Sequence, residues 1–525
     1  MVAGKTALAA ALHLLAFAGA NPLPQSSGDG DDDSAARLAA ISAAFQTGFG
    51  GYEQYAFGYD ELLPVSNGKS NSFGGFGATA VDALDTAIVM GLPDIVEKIL
   101  DFVPTINFAA PAGDVQISLF ETTIRYIGGF LAAYDLLKGP ASNMAPNDTS
   151  KVDALLLQAT DLANNLSYAF NTPTGIPYNG LYLSNQTTDG STTNGLATIG
   201  TLVLEWTRLS DLTNNATYTQ LTQKAESYLL NPQPASSEPF PGLVGTNVDI
   251  ATGQFQDASG GWVGGDDSFY EYLIKSYVYD SSRFSTYKDR WVLAADSTIA
   301  NLTSHPSSRP DLTFVAEFSG TDLVLQSQHL ACFDGGNFIL GGLVLSEQKY
   351  IDYGLALVAG CEDTYNNTAT GIGPDSFGWD PSSIPSDQQT FYEKAGYYIT
   401  GPAYILRPEV LESFYYAYRA TGDQKYRDWS WNGISAILNN TRVGSGFAEL
   451  QNVNVPGGGG FNDFQDSFFF AEVLKYAYLI HAPDADYQVK NGVQQPFVFN
   501  TEGHPLMVKQ MLPGGGYGGG GHGGK

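Results

Sequence analysis

Positive charge is scarce in this chain. Its 525 residues carry 25 Lys and Arg against 54 Asp and Glu, a formal net charge of −29. Nucleic-acid backbones are bound through clusters of Lys and Arg, so the imbalance excludes nucleic acid as a partner. It equally excludes adsorption to anionic membrane surfaces. Cysteine is nearly absent, with only Cys332 and Cys361. There are six histidines, no HExxH pair and no His/Cys cluster beside either cysteine. Zinc and thiol chemistry therefore lack their usual residues. No Gly-rich phosphate loop opens a helix after a strand. Beyond the first 20 residues no apolar run is long enough to span a bilayer. Charged residues of both signs make up only 15% of the chain. A neutral polar polymer such as a glycan is not repelled by such a surface. Solubility at acidic pH is the plainer reading of the same acidity.

What is present begins with a secretion signal. Lys5 supplies a positive charge, Ala7 to Phe17 an apolar core, and Ala18-Gly19-Ala20 an A-x-A cleavage site. A soluble, secreted protein starting near Asn21 is expected, acting as a monomer. Seven N-x-S/T sequons agree with that route: Asn147, Asn165, Asn185, Asn215, Asn301, Asn366 and Asn439. In an oxidising compartment an isolated cysteine pair is most simply one disulfide, Cys332 to Cys361.

Residues 21–35, which include GDGDDD at 28–33, read as a disordered acidic leader, and GGGYGGGGHGGK at 514–525 as part of a flexible tail from 509 onward. Between them helical spacing dominates. Val81, Leu84, Ile88 and Leu92 share a face, as do Leu119, Ile124, Ile127, Phe130 and Leu131. Similar faces lie in 196–212, 268–280, 338–347, 350–358, 409–420 and 467–480. Short β segments are expected near 313–317 and 497–501. No domain boundary is visible from 36 to 508. Many helices separated by long Gly/Pro/Asn loops predict an all-α toroid of helical hairpins; an irregular all-α protein is the plainer alternative.

Three of these helices open with an acidic residue followed by Ser-Phe-aromatic: DSFY at 267–270, ESFY at 412–415 and DSFF at 466–469. FETTIR at 120–125 has the same flavour. Repeated helices that each start with a carboxylate predict starts converging on one acidic pocket. Ser118 with Glu121 has capping-box spacing, and Arg125 lies one turn beyond Glu121 on the same face. Pro408 suits a first helical turn, which places Glu409 at a helix N-terminus, where the dipole favours an ionised carboxylate. Glu412 follows on the same face. Asp267 and Asp466 have the look of N-caps, with Glu271 and Glu472 further along their helices. Acids so close repel unless a metal, a water or a sugar binds between them. In FNTEGHP at 499–505, Thr501 offers a hydroxyl and a carbonyl to a hard cation of the Ca²⁺ type. His329 is either a buried structural histidine or a pocket wall.

Taken together, VDALDTAIVMGL (81–92), FETTIR (120–125), TPTGIPY (172–178), IGTLVLEWTRLS (199–210), DSFYEYLIK (267–275), HLACF (329–333), LRPEVLESFYYAYRATGDQKYRDW (406–429), DSFFFAEVLKY (466–476) and VFNTEGHP (498–505) resemble the class I α-mannosidases of glycoside hydrolase family 47. They occur in family order across residues 36–508. The resemblance implies an (α/α)7 barrel with Ca²⁺ at its base and inverting hydrolysis of α-1,2-linked mannose from high-mannose N-glycans. It implies Glu121 as general acid, with Glu409 and Asp267 as the other catalytic acids and Glu409 the favoured base. Thr501 matches the Ca²⁺ ligand. Glu205, Glu412, Glu472 and Glu502 match carboxylates around ion and sugar, Phe468 an aromatic platform, and Arg125, Arg407 and His329 pocket residues. The cysteines match the family disulfide. Gly265 stands where the endoplasmic-reticulum enzymes carry Arg, which implies broader trimming, toward Man5. A mannose lectin on the same barrel, or another α/α-toroid glycosidase, are the alternative readings.

Overall fold

The computed structural model describes residues 30–113 and 115–509. The expected signal peptide, most of the acidic leader and the Gly-rich segment from 510 onward lie outside the described residues. Fourteen helices organise the rest. They are α1 (Gly30–Tyr55), α2 (Ala78–Val89), α3 (Pro93–Phe102), α4 (Gly128–Lys138), α5 (Ser150–Leu166), α6 (Val203–Thr213) and α7 (Thr217–Leu230). There follow α8 (Asp267–Tyr279), α9 (Ser285–Asn301), α10 (Phe333–Leu345), α11 (Gln348–Asn366), α12 (Glu409–Thr421), α13 (Gln424–Thr441) and α14 (Leu474–Leu479).

Each even-numbered helix packs on the odd-numbered helix that follows it, and α14 packs back on α1. The even helices also touch in sequence, α2 to α4, α6, α8, α10, α12, α14 and again α2, so they close an inner ring inside an outer one. Sequence pattern explains the layers. Every residue of α2 from Ala78 to Ile88 is buried, as is every residue of α10 from Phe333 to Val344. A helix apolar all round must be surrounded by protein. Outer helix α5 instead buries Val152, Leu155, Ala159, Leu162, Ala163 and Leu166, a single stripe at helical spacing. Glycines set the closeness of the rings in α10: a Cβ on Gly341 would meet the Trp291 ring of α9, and one on Gly335 would come within 2.6 Å of Val358 in α11.

The ring is plugged from one end by an antiparallel hairpin, Phe497–Phe499 with Pro505–Met507, in the register Phe497 to Met507 and Phe499 to Pro505. Its flanks touch α4 and α8, and the five residues of its loop, 500–504, reach into the ring. The expected strand near 497–501 thus ends at Phe499. The one expected near 313–317 appears as Phe314–Val315 and Glu317–Ser319, beside a small separate core around Phe314, Phe377, Trp379 and Tyr397.

Two boundaries differ from the sequence reading. Residues 30–35 belong to the backbone of α1 rather than to a disordered leader. Lys509, expected in the tail, is held to Asp280 at 2.9 Å. The cysteines form the expected disulfide, which ties the residue before α10 to the interior of α11 with Cα atoms 5.9 Å apart. A cross-link over a sequence separation of 29 restricts the unfolded chain by about 3–4 kcal/mol in the chain-entropy picture. A Cys332→Ala/Cys361→Ala double variant should therefore lose stability of that order in denaturant titrations; a loss under about 1 kcal/mol would show that native-state effects cancel it.

Candidate active site

The helix starts do converge. A cavity of about 410 Å³, within the size range of small-ligand sites, is lined by Glu121, Asp267, Glu271, Glu409, Glu412 and Glu472, with Thr501 and Glu502 of the hairpin loop. Arg125, Arg407, Phe468 and Gly265 complete its wall.

Glu121 lies in a single helical turn, Leu119–Thr122, capped by Ser118, whose Oγ accepts from the Glu121 amide at 3.1 Å. The carboxylate does not close the capping box. Arg125 takes it instead, Nε and Nη2 donating to Oε2 at 3.0 and 2.8 Å. This pairing is possible because the chain widens into a π turn at Thr123–Ile127 before α4 starts. A second π turn, Phe469–Val473, precedes α14 and carries Glu472. Such turns re-aim side chains and recur at functional sites. The Arg125 guanidinium also reaches Glu502 and lies over the Phe468 ring, 5.5 Å from its centroid.

Asp267 is the first residue of α8, and Asp266 stands in the cap position, so the expected N-cap role fails. Asp267 is free to face the cavity because its own neighbour satisfies it: the Ser268 amide donates to Oδ1 at 2.7 Å. Burial, then the charges of Glu271 and Glu409, push Asp267 up to about 7. Asp466 caps no helix either. Its backbone carbonyl accepts from Phe469 while its Oδ2 is buried without a partner. Glu409 opens α12 as the spacing required. Its Oε2 lies 2.8 Å from His329 Nδ1, and His329 Nε2 lies 2.7 Å from the Tyr365 hydroxyl. One turn on, burial and the charges of Glu271 and Glu409 push Glu412 up to about 8, against the pull of Lys275.

The floor is built by Asn500. Its amide donates to the Ile124 carbonyl at 2.9 Å and to Glu205 Oε1 at 2.8 Å, while its Oδ1 accepts from the amides of Glu502 and His504. Tyr272 accepts from the Thr501 amide at 3.2 Å. Below the loop, His504 lies between Asp82 and Asp85 of α2, 3.4 and 3.1 Å away, and Lys475 bridges Asp85 to the Gly503 carbonyl. All four side chains are fully buried. Burial opposes a charge on His504, yet Asp85 and Asp82 hold its pKa above the ordinary value.

Of the twelve residues to which the family resemblance gave catalytic, pocket or Ca²⁺ roles, ten share the cavity, and two do not. Glu205 is buried beneath it, spent on Tyr272 and Asn500, and His329 stands behind Glu409. Among the described residues no group of three His, Cys, Asp or Glu side chains is placed to cage a metal ion. Glu271, named in the sequence as a companion of Asp267, does line the cavity; Tyr365 and the Asp82–Asp85–His504–Lys475 network supply what the sequence reading missed as site structure. The signal for the network was there, two aspartates three apart inside an otherwise largely apolar, fully buried helix. Nothing local marks Tyr365. Asn147, Asn185, Asn215, Asn301, Asn366 and Asn439 are exposed, and Asn165 is half-buried in α5.

The profile of glycosyl hydrolase family 47 matches residues 44–508. The chain is 59% identical over 483 residues to a protein of Aspergillus clavatus described as a probable mannosyl-oligosaccharide alpha-1,2-mannosidase 1B, covering 91% of this chain and 94% of that one. It is 59% identical to the mannosyl-oligosaccharide alpha-1,2-mannosidase of Penicillium citrinum, covering 90% and 92% respectively. Among solved structures it superposes on an alpha-1,2-mannosidase from Trichoderma reesei with a TM-score of 0.89 at 52% identity, covering 92% of this chain and all of that one. A D-mannose isomerase, at 13% identity and a TM-score of 0.51, shares the fold alone.

The raised carboxyls have a consequence for stability. Asp267 and Glu412 bind protons more tightly folded than unfolded, so the native state holds more protons between about pH 4 and about pH 8, and stability falls as pH rises through that window. Melting temperatures of chelator-treated protein should decline from about pH 5 to about pH 8, and Glu412→Gln should flatten the decline. A curve that rises across the window would contradict this.

Proposed function

The chain belongs to glycosyl hydrolase family 47, and we propose that its cavity removes terminal α-1,2-linked mannose from high-mannose N-glycans with inversion. The observation that carries this reading is the placing of Glu121, Asp267 and Glu409 on one cavity whose floor is the Thr501 loop. Inverting hydrolysis needs one carboxyl to give a proton and another to take one from water. Glu121, held by Arg125, passes its proton through an intervening water to the glycosidic oxygen. Glu409 takes a proton from a second water, whose oxygen bonds to C1 on the face opposite the leaving oxygen. The C1–O bond breaks, its electron pair goes to the leaving oxygen, and β-mannose departs. Asp267, titrating at about 7 among the protein's own charges, is the weaker candidate for base at acidic pH. Phe468 supplies a flat face for the sugar ring beside Arg125.

The pocket floor fits Ca²⁺. Thr501 presents hard oxygen donors, and Glu412, Glu472 and Glu502 are buried around it with titrations shifted upward, first by burial and then by like charges. Glu205 Oε2 is buried without a partner beneath the loop. Thr501 would hold the ion, with the carboxyls bound to it through water. When bound, Ca²⁺ supplies the positive charge that lets these acids ionise together. Chelation should abolish turnover and lower the melting temperature, with Ca²⁺ but not Zn²⁺ restoring both; full activity and an unchanged melting temperature after exhaustive chelation would refute the assignment.

Gly265 governs breadth of trimming in this proposal. Its φ is +101°, and the nearest atom to an added Cβ is Thr246 Cγ2 at 3.7 Å, so the wall is open there. An Arg at 265 would fill this space from strained backbone. A lectin role is disfavoured by the intact set of three acids. The sequons and the apolar N-terminal segment support a secretory route, in which glycoproteins are met. No helix among the described residues is long and apolar enough to cross a membrane.

Digestion of Man9 glycan, followed by NMR and mass spectrometry, tests the whole reading. β-Mannose should appear first and products should run toward Man5. Glu121→Gln and Glu409→Gln should keep the fold and lose at least about 10²-fold in kcat. α-Mannose as first product would overturn the roles assigned, and arrest at a single Man8 isomer the breadth.

A further inference from the structure

His329 sits between two partners and does not itself line the cavity. Its Nδ1 is 2.8 Å from Glu409 Oε2 and its Nε2 is 2.7 Å from the Tyr365 hydroxyl, with all three side chains buried. An ionised carboxylate only accepts hydrogen bonds, so the proton on Nδ1 must be the one aimed at Glu409. In a neutral imidazole Nε2 then carries the lone pair, and only a donor satisfies it. The Tyr365 hydroxyl is that donor, and among the described residues it has no other hydrogen-bond partner. Its burial, then the nearby Glu409 charge, raise its pKa far above the ordinary value, so the phenol keeps its proton.

The scaffold holds this geometry from both sides. Tyr365 lies one turn beyond Cys361 on α11, and Cys332, bonded to Cys361, is three residues beyond His329. The Tyr365 ring packs on Gly373, where an added Cβ would come within 2.9 Å of it, and near Gly433. Neither Tyr365 nor His329 lines the cavity, whereas Glu409 does.

We propose that Tyr365 is a positioning residue for the base: by donating to His329 Nε2 it locks the Nδ1–H tautomer and so keeps a fixed hydrogen bond on Glu409 Oε2, leaving Oε1 for the reacting water. This rests on the reading of Glu409 as base. Without the phenol, the buried Nε2 has no donor, and the imidazole gains by moving its proton there. The Nδ1 lone pair would then face the carboxylate and repel it. The other groups acting on Glu409 are the carboxyls of Asp267, Glu412 and Glu472, the Arg407 guanidinium and the Tyr404 phenol. All remain when Tyr365 is altered, so a change reports on the relay alone.

The test compares native protein, Tyr365→Phe and Glu409→Gln, each loaded with Ca²⁺. Tyr365→Phe should lower kcat about tenfold, the loss of roughly one buried hydrogen bond at the base, with KM within about twofold. The acidic limb of its kcat/KM profile should move upward in pH, since Glu409 loses a donor that favours its ionised form. In native protein labelled with ¹⁵N-histidine, the His329 signals should be those of the Nδ1–H tautomer, assigned by their absence from His329→Gln. The proposal is overturned if the native tautomer is Nε2–H. It is also overturned if Tyr365→Phe keeps native kcat and pH profile while Glu409→Gln is inactive. Should Glu409→Gln remain active, the base assignment falls, and the proposal with it. If Tyr365→Phe fails to fold, the tautomer in the native protein decides alone.

Discussion

Mutual repulsion among buried carboxyls is the constraint from which the rest of this structure follows. Glu271, Glu409, Glu412, Glu472 and Glu502 crowd one cavity with Asp267 and Glu121, and Arg125, Lys275 and Arg407 stand near them among the described residues as permanent cations. Burying a charge is costly unless it is paired. The chain meets the cost in three ways. Helix starts point their amides at the cavity, guanidinium and ammonium groups fork between acids, and part of the acid set takes up protons, as the upward shifts of Asp267, Glu412, Glu472 and Glu502 record. A site that holds protons near neutrality and has hard oxygen atoms at its floor is suited both to proton transfer and to a divalent cation.

Holding such a site open requires rigid walls, and the double ring supplies them. The inner helices are buried on nearly every face, and the charges they carry past their starts are paired inside the protein, Asp135 with Arg208 and Asp85 with Lys475. At the floor the Thr501 loop is fixed from below by the Asp82–His504–Asp85–Lys475 network, in which two carboxyls, an imidazole and an ammonium group are sealed from water. Removing any one member would leave the others uncompensated, so the loop position is tied to the packing of α2, α4 and α14. The two π turns serve the same end. Each inserts one extra residue's worth of rotation just before an inner helix, which turns Arg125 and Glu472 toward the cavity without disturbing the helix that follows.

Much of this was legible in the sequence. Apolar spacing located α8 and α12 within a residue or two and the other inner helices more loosely, and the recurrence of acid-Ser-Phe-aromatic pointed to converging starts, which Asp267, Glu412 and Phe468 bear out by lining one cavity. The local role of the same acids was not legible. Asp267 and Asp466 have N-cap spacing but cap nothing, since a cap depends on where the helix begins to one residue, and neighbours decide that. Glu205 resembled a carboxylate around ion and sugar; it lies beneath the cavity, where its Oε1 accepts from Asn500 and Tyr272.

The sequence by itself determined which residues are acidic, apolar or small, and hence the helices, their inner or outer rank, the cysteine pair and the chemistry available to the pocket. These are local properties, set by side-chain type and by spacing along a few turns. Only the tertiary structure decided which carboxyls share a cavity, which ones are spent on structure, and what stands behind the base. Tyr365, His329 and Glu409 come from three separate segments, 36 and 80 residues apart along the chain. Their alignment exists only because the ring closes and the disulfide draws α11 onto α10. A hydrogen bond of that span leaves no trace in local pattern, since its partners are chosen by packing rather than by neighbours in sequence.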